Sequence, residues 1–196
     1  MNSKTKVGLT GSIGSGKTLV SKILQTLGYP VYDSDWHARQ FYFYQPVKEK
    51  IYDLLGGDVF DADKQIDIKA MAQVIFSDPA KLQKVNAIIH PYVAQDFEKW
   101  ANNQSCRLVF QESAILFEAG FQDKFHAVIS VSAPLELRIE RVMKRNNVSR
   151  DEVLQRMQHQ WSDEKKCRYA DYIIANDGAH FIMPRIIKIL EELSIV

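Results

Sequence analysis

The chain has 196 residues, 46% of them hydrophobic and 25% charged, with a formal net charge of +1, which suits one domain or one domain with a sizeable insertion and a real core. Balanced acids and bases exclude a nucleic-acid-binding tract or an acidic tail, so any basic patch must be local. Cys106 and Cys167 match no metal spacing and read as reduced thiols of a cytoplasmic protein, and no stretch approaches the roughly 20 apolar residues of a membrane span.

Met1 to Lys6 leads without an apolar leader into a short buried strand, Val7 to Thr10. Next comes Gly11-Ser12-Ile13-Gly14-Ser15-Gly16-Lys17-Thr18, which fits the phosphate-loop pattern of Gly, four residues, Gly, Lys, Ser/Thr in its required strand-to-helix context. Glycines let successive N–H groups turn toward an anion, and the helix opening at Leu19 adds its positive dipole end. Lys17 supplies a cation between β and γ phosphates, and Thr18 a hydroxyl for Mg²⁺ bridging them. The helix runs to about Leu27, capped by Gly28. Pro30 to Asp33 reads as a second strand that delivers Asp33-Ser34-Asp35 to the same edge of a parallel sheet, one strand over from Lys17, where ligands of open parallel sheets sit. Trp36 to Leu55 is helix-like and aromatic, broken at Pro46. Its aromatic stripe fits core packing or a face for an adenine or pantetheine group.

Asp58 to Ile66 looks like a polar loop, Ile68 to Phe76 a helix, and Asp78-Pro79 the start of another that breaks at His90-Pro91 and resumes through Trp100. Residues 36–102 thus form a helical insertion. Arg107 to Gln111 and Ala127 to Val131 return to strand character, and Pro134 begins a helix carrying Arg138, Arg141, Lys144 and Arg145 on one face. Ser149 and Glu152 make a capping box for a further helix carrying Arg156, Gln160, Lys165, Lys166 and Arg168. A last strand, Asp171 to Asn176, and a helix from Phe181 to Leu193 complete an α/β alternation, a parallel sheet with helices on both faces.

A phosphate loop alone fits a motor, a switch or a kinase. Asp33 fits a base for an attacking hydroxyl, a water-mediated Mg²⁺ contact or a helix cap, and Asp35 a second ligand. Arg141 and Arg145 fit a lid that neutralises a transferring phosphoryl group, or a solvated face paired with Glu136 and Glu140. His90 and Glu118 each fit a substrate contact or a structural role, and Asn176 an adenine contact or a plain Asn-Asp-Gly turn.

Taken in order, Gly8 to Thr18, Asp33-Ser34-Asp35 with Ala38-Arg39-Gln40, Val74-Ile75-Phe76, Ile88-Ile89-His90-Pro91, Leu116-Phe117-Glu118, Arg141 with Arg145, Gln160, Ala170-Asp171 and Asn176-Asp177-Gly178 resemble the dephospho-CoA kinases over nearly the whole chain. The resemblance implies a P-loop NTPase-type core (1–35, 103–135 and 170–196), a helical CoA-binding part (36–102) and a lid (136–169). It implies ATP and dephospho-CoA as substrates with Mg²⁺, and no nucleic-acid, membrane or obligate protein partner. Asp33 would be the base, with Lys17 and Arg141 on the transferring group. Gly11 to Thr18, Leu19, Arg145 and Asn176 would hold ATP, with Thr18 on the metal. Asp35, Arg39, His90, Pro91 and Glu118 would serve the acceptor. Three positions depart from the family pattern: Ser34 within the Asp pair, Ala114 where a proline is usual, and Ile68 in place of an arginine after Asp67. A kinase for another metabolite is the nearest rival. A nucleotide-dependent switch is a second, opposed by the Asp33 pair, the arginines and the lack of an Asn-Lys-x-Asp motif.

Overall fold

The computed structural model describes residues 4–194; Met1, Asn2, Ser3, Ile195 and Val196, assigned above to the nucleotide-binding core, lie outside the described residues. Five strands, β1 (Thr5–Thr10), β2 (Val31–Asp33), β3 (Leu108–Glu112), β4 (Ala127–Ser132) and β5 (Tyr172–Ala175), form one parallel sheet in the order β2-β3-β1-β4-β5. β1 is therefore central, flanked by β3 (Val7 opposite Phe110) and β4 (Val7 opposite Ala127). This order corrects one expectation. β3 stands between β1 and β2, so Asp33 is two strands from the phosphate loop, with Glu112 in register between them.

The strands are apolar on both faces because both are covered. Val7, Leu9, Phe110, Ile129, Val131 and Ile174 pack against Val20 and Leu24 of helix α1 (Lys17–Thr26) and against a C-terminal helix. On the opposite side Val128 joins Leu116 and Phe117. α1 ends in a Schellman arrangement: Gly28, at φ +89°, bonds Gln25 O (3.0 Å) and Tyr29 bonds Leu24 O (2.9 Å).

The chain divides into two compact units, one running to Asp33 and resuming at Asn103, the other Ser34–Asn102. In the second, α2 (Ser34–Phe41), α3 (Gln45–Leu55) and α4 (Ile68–Phe76) pack on α5 (Pro79–Asn102). Pro46 starts α3 rather than breaking a helix, because its missing N–H is needless in a first turn. α5 does not break at His90-Pro91. Its buried stripe of Val85, Ile89, Val93, Phe97 and Ala101, spaced by four, carries the helix through Pro91, which is exposed. The polar loop contains a single 3₁₀ turn at Gly57–Val59. Asp67 and Asp78 cap α4 and α5 by accepting two backbone N–H bonds each.

The first unit continues with α6 (Leu135–Asn146), α7 (Arg150–Met157), α8 (Asp163–Tyr169) and α9 (Met183–Ser194). α9 buries Ile186, Ile189, Leu190 and Leu193 against the sheet. The capping box of Ser149 and Glu152 forms as expected. The single helix expected beyond it is instead two, α7 and α8, because Ser162 caps a fresh start by accepting from Lys165 N (3.2 Å). Residues 158–162 are the connection, and they matter for the site.

Candidate active site

The loop from Gly11 to Lys17 joins β1 to α1. Gly11, Gly14 and Gly16 have φ of +150°, +80° and +100°, a region that favours glycine. Space forbids a side chain as well: a Cβ on Gly11 would lie 2.3 Å from Val131 O, and one on Gly14 2.5 Å from Arg138 O. Ser15 N bonds Ser12 O (3.1 Å), closing the turn, and Lys17 Nζ donates to Gly11 O (2.7 Å), folding the ammonium back over the loop. Thr18 and Leu19 are exposed in the first turn of α1.

The loop is braced from distant parts of the chain. Ile13 N donates to Gln160 Oε1 (2.9 Å), Ser12 Oγ to Trp161 O (3.4 Å) and Asn176 Nδ2 to Ser15 O (2.8 Å). Arg141, half-buried, brings its guanidinium to 3.5 Å from Gly14 O. Arg145 is exposed at the end of α6 and bonds Asn146 Oδ1 (3.0 Å). The expected basic face is thus divided. Arg138 is only 6% exposed, its Nε donating to Ala133 O (3.0 Å), and Glu136 pairs with Arg150 of α7 (2.7 Å) rather than within α6.

The connection that carries Gln160 and Trp161 is anchored by a buried ion pair. Lys166 of α8 is fully buried, with Nζ 2.9 Å from Glu118 Oε1 and 2.5 Å from Ala114 O. Burial pushes its ammonium below the usual lysine range, with Glu118 and Asp163 opposing the shift. Glu118 Oε1 also accepts from Trp161 N (2.7 Å), and the Trp161 ring stacks on Phe117 at 5.8 Å with Lys165 Nζ above it at 3.5 Å. Glu118, expected on the acceptor side, therefore fixes the connection over the phosphate loop, and Ala114 supplies a carbonyl to the same lysine. Asp163, 6% exposed, accepts from Ala133 N (3.2 Å).

At the carboxyl edge of the sheet, Asp33 ends β2 and is exposed, with Glu112 beside it at the end of β3. Glu112 Oε2 accepts from Ser21 Oγ of α1 at 2.5 Å. Nothing in the local sequence around Glu112 marks it as functional. Only the strand order, which puts β3 next to the loop-bearing strand, singles it out from other strand-ending carboxylates.

In the second unit Asp35 and Arg39 are exposed one turn apart on α2, and both act on Tyr42, whose hydroxyl is pushed above the usual range chiefly by burial. His37 pairs with Asp96 of α5 (2.8 Å), and Phe41 and Tyr44 meet Tyr92 at 5.7 and 5.8 Å. These contacts assign part of the aromatic stripe to packing. His90 is half-buried on α5, one residue before exposed Pro91.

A family model described as dephospho-CoA kinase matches residues 5–181. The chain belongs to the dephospho-CoA kinase family. A dephospho-CoA kinase of Bacteroides fragilis is 40% identical over 187 residues, spanning 94% of this chain and 91% of the relative. One of Porphyromonas gingivalis is 39% identical over 187 residues, with 94% and 92% covered. The crystal structure of a Thermus thermophilus protein, 35% identical, superposes with a TM-score of 0.87 over 97% of this chain and 98% of that one. A shikimate kinase of Acinetobacter baumannii, 16% identical, superposes with a TM-score of 0.54 over 98% of this chain and 94% of that one, a likeness of fold alone. The dephospho-CoA kinase family thus accounts for the P-loop kinase fold expected from the sequence.

Proposed function

We propose that the chain transfers the γ-phosphoryl group of ATP to the ribose 3′-hydroxyl of dephospho-CoA, giving CoA and ADP. The observation that carries this is the complete, externally braced phosphate loop in a chain whose family match runs from residue 5 to residue 181. Loop N–H groups and the first turn of α1 would hold the triphosphate, and Lys17 would exchange its bond to Gly11 O for phosphate oxygens as charge builds on them. Arg141, already beside the loop, would add a second cation, and Arg145 a more exposed one. Asp33 would take the proton of the attacking hydroxyl. Asp35, Arg39, His90 and Pro91 would contact the acceptor. Residues 136–169 would cover the nucleotide and exclude water.

The oxygens available suit Mg²⁺. Among the described residues no three metal-ligating side chains converge. Mg²⁺ is commonly bound through one or two protein oxygens with water and phosphate completing its shell, for which Thr18 Oγ and the Glu112 carboxylate, held by Ser21, are suited. When bound it would neutralise charge on the β- and γ-phosphates. No helix among the described residues is long and apolar enough to cross a membrane, and the cytoplasm is the location we infer. Formation of CoA and ADP from dephospho-CoA and Mg²⁺-ATP, followed by chromatography and a coupled ADP assay, tests the reading. Folded protein that binds ATP yet forms no CoA refutes it.

A further inference from the structure

Asn176 stands where the family resemblance implies an adenine contact, but its surroundings are those of a strut. The residue is 8% exposed and its backbone N–H bonds Ser132 O (2.7 Å), extending the β4–β5 ladder by one position. That anchor aims the side chain at the phosphate loop, where Nδ2 donates to Ser15 O at 2.8 Å, a bond between groups 161 residues apart. The same nitrogen fills the space beside Gly16: a Cβ there would lie 2.1 Å from it. Gly16 is thus bare for two reasons, its φ of +100° and the amide packed against it. Ser15 O faces away from an anion held by Gly16 N–H by necessity, since the C=O and N–H of the one trans Ser15–Gly16 peptide point in opposite directions. A buried carbonyl in that position needs a donor, and Asn176 supplies it.

We propose that Asn176 is a positioning residue for the triphosphate: it fixes the Ser15–Gly16 peptide so that the following N–H groups stay aimed at phosphate, and it contributes to ATP affinity through the loop rather than through the base. The inference rests on reading the loop as the ATP site, but not on the identity of the acceptor. It separates cleanly from base recognition, because a strut affects every ligand that carries the phosphates and an adenine contact affects only adenine nucleotides.

The test is binding of ATP, GTP and inorganic tripolyphosphate, each with Mg²⁺ and without acceptor, by calorimetry on the full chain. Asn176→Asp keeps the shape but sets a carboxylate against Ser15 O. Asn176→Ala removes the donor without adding charge. Thermal melting is run on both, so that affinities come from folded protein. Losing a donor to a buried carbonyl predicts affinities weaker by on the order of ten-fold for all three ligands, more for Asn176→Asp, with the ATP-to-GTP ratio unchanged. Loss confined to ATP with tripolyphosphate unaffected overturns the proposal in favour of base reading, and unchanged affinities for all three overturn it outright. Wild-type protein that holds ATP but not tripolyphosphate overturns it too, since affinity would then reside in the nucleoside. Failure to make CoA with ATP binding intact refutes only the proposed activity.

Discussion

Replacing Lys166 by methionine would expose how far the connection at residues 158–162 depends on one buried charge. The ammonium is fully enclosed, 2.9 Å from Glu118 Oε1 and 2.5 Å from Ala114 O. Its removal leaves Glu118, whose side chain is 15% exposed, with Trp161 N as its remaining described donor to Oε1, while Oε2 is buried without a partner. Breaking one side of a buried pair costs about 3–5 kcal/mol, most of it the stranded charge. A chain of this size loses about 2–4 °C of Tm per kcal/mol, so a fall of roughly 6–20 °C is expected by calorimetry. Lys166→Met with Glu118→Leu removes both charges and should recover much of the loss. The pH dependence has a defined sign. Burial lowers the folded-state pKa of Lys166 below its unfolded value of about 10.4, so the folded state releases the proton first. The wild type therefore gains stability relative to Lys166→Met as pH climbs through the alkaline range to that value. A single variant within about 1 kcal/mol of wild type, or a double variant worse than the single, would refute the stranded-charge argument.

Lys17→Ala should slow turnover by a factor on the order of 10² or more while weakening ATP binding, and near-normal steady-state rates would remove Lys17 from the transfer step. Asp33→Asn should leave the melting temperature and ATP affinity in place and sharply cut CoA formation, because an amide takes no proton; parental activity would move the base elsewhere. Asp67→Ala, which deletes the acceptor for Lys69 N and Ala70 N at the start of α4, should cost about 1 kcal/mol in urea unfolding with kcat little changed.

Local grammar was legible where one short segment decides the outcome. The phosphate-loop motif, the caps at Asp78 and Ser149, and the strand runs are readable from neighbouring residues, and the structure forms all of them. Two helix boundaries were not legible because distant packing outweighs a local signal. The buried stripe of α5 holds the helix through Pro91, and Ser162 starts α8 within a charged run that looked continuous. Lys17's place in the loop and Asp33's at the carboxyl edge of the sheet were legible, but Asp33 lies one strand farther from the loop than expected. Glu112 was not, since its interest depends on β3 lying between β1 and β2. Arg138 and Lys166, read only as members of charged helix runs, are buried: Arg138 bonds Ala133 O five residues back, whereas Lys166 reaches Glu118 and Ala114, far enough along the chain that spacing carries no trace of them.

The bracing of the phosphate loop also sets an order in time. The loop is made within the first twenty residues, yet its struts come from Gln160 and Asn176, 147 and 161 residues later. Contacts of such separation form late in folding, because a long segment must first be brought back to its start. During synthesis, at roughly 5–20 residues per second, the segment most diagnostic of the family would wait on the order of ten seconds for its last support. A nascent chain halted before Asn176 would thus contain every loop residue and still lack the brace on Ser15 O. Full ATP affinity, rather than binding as such, becomes a report that the far end of the sheet has closed.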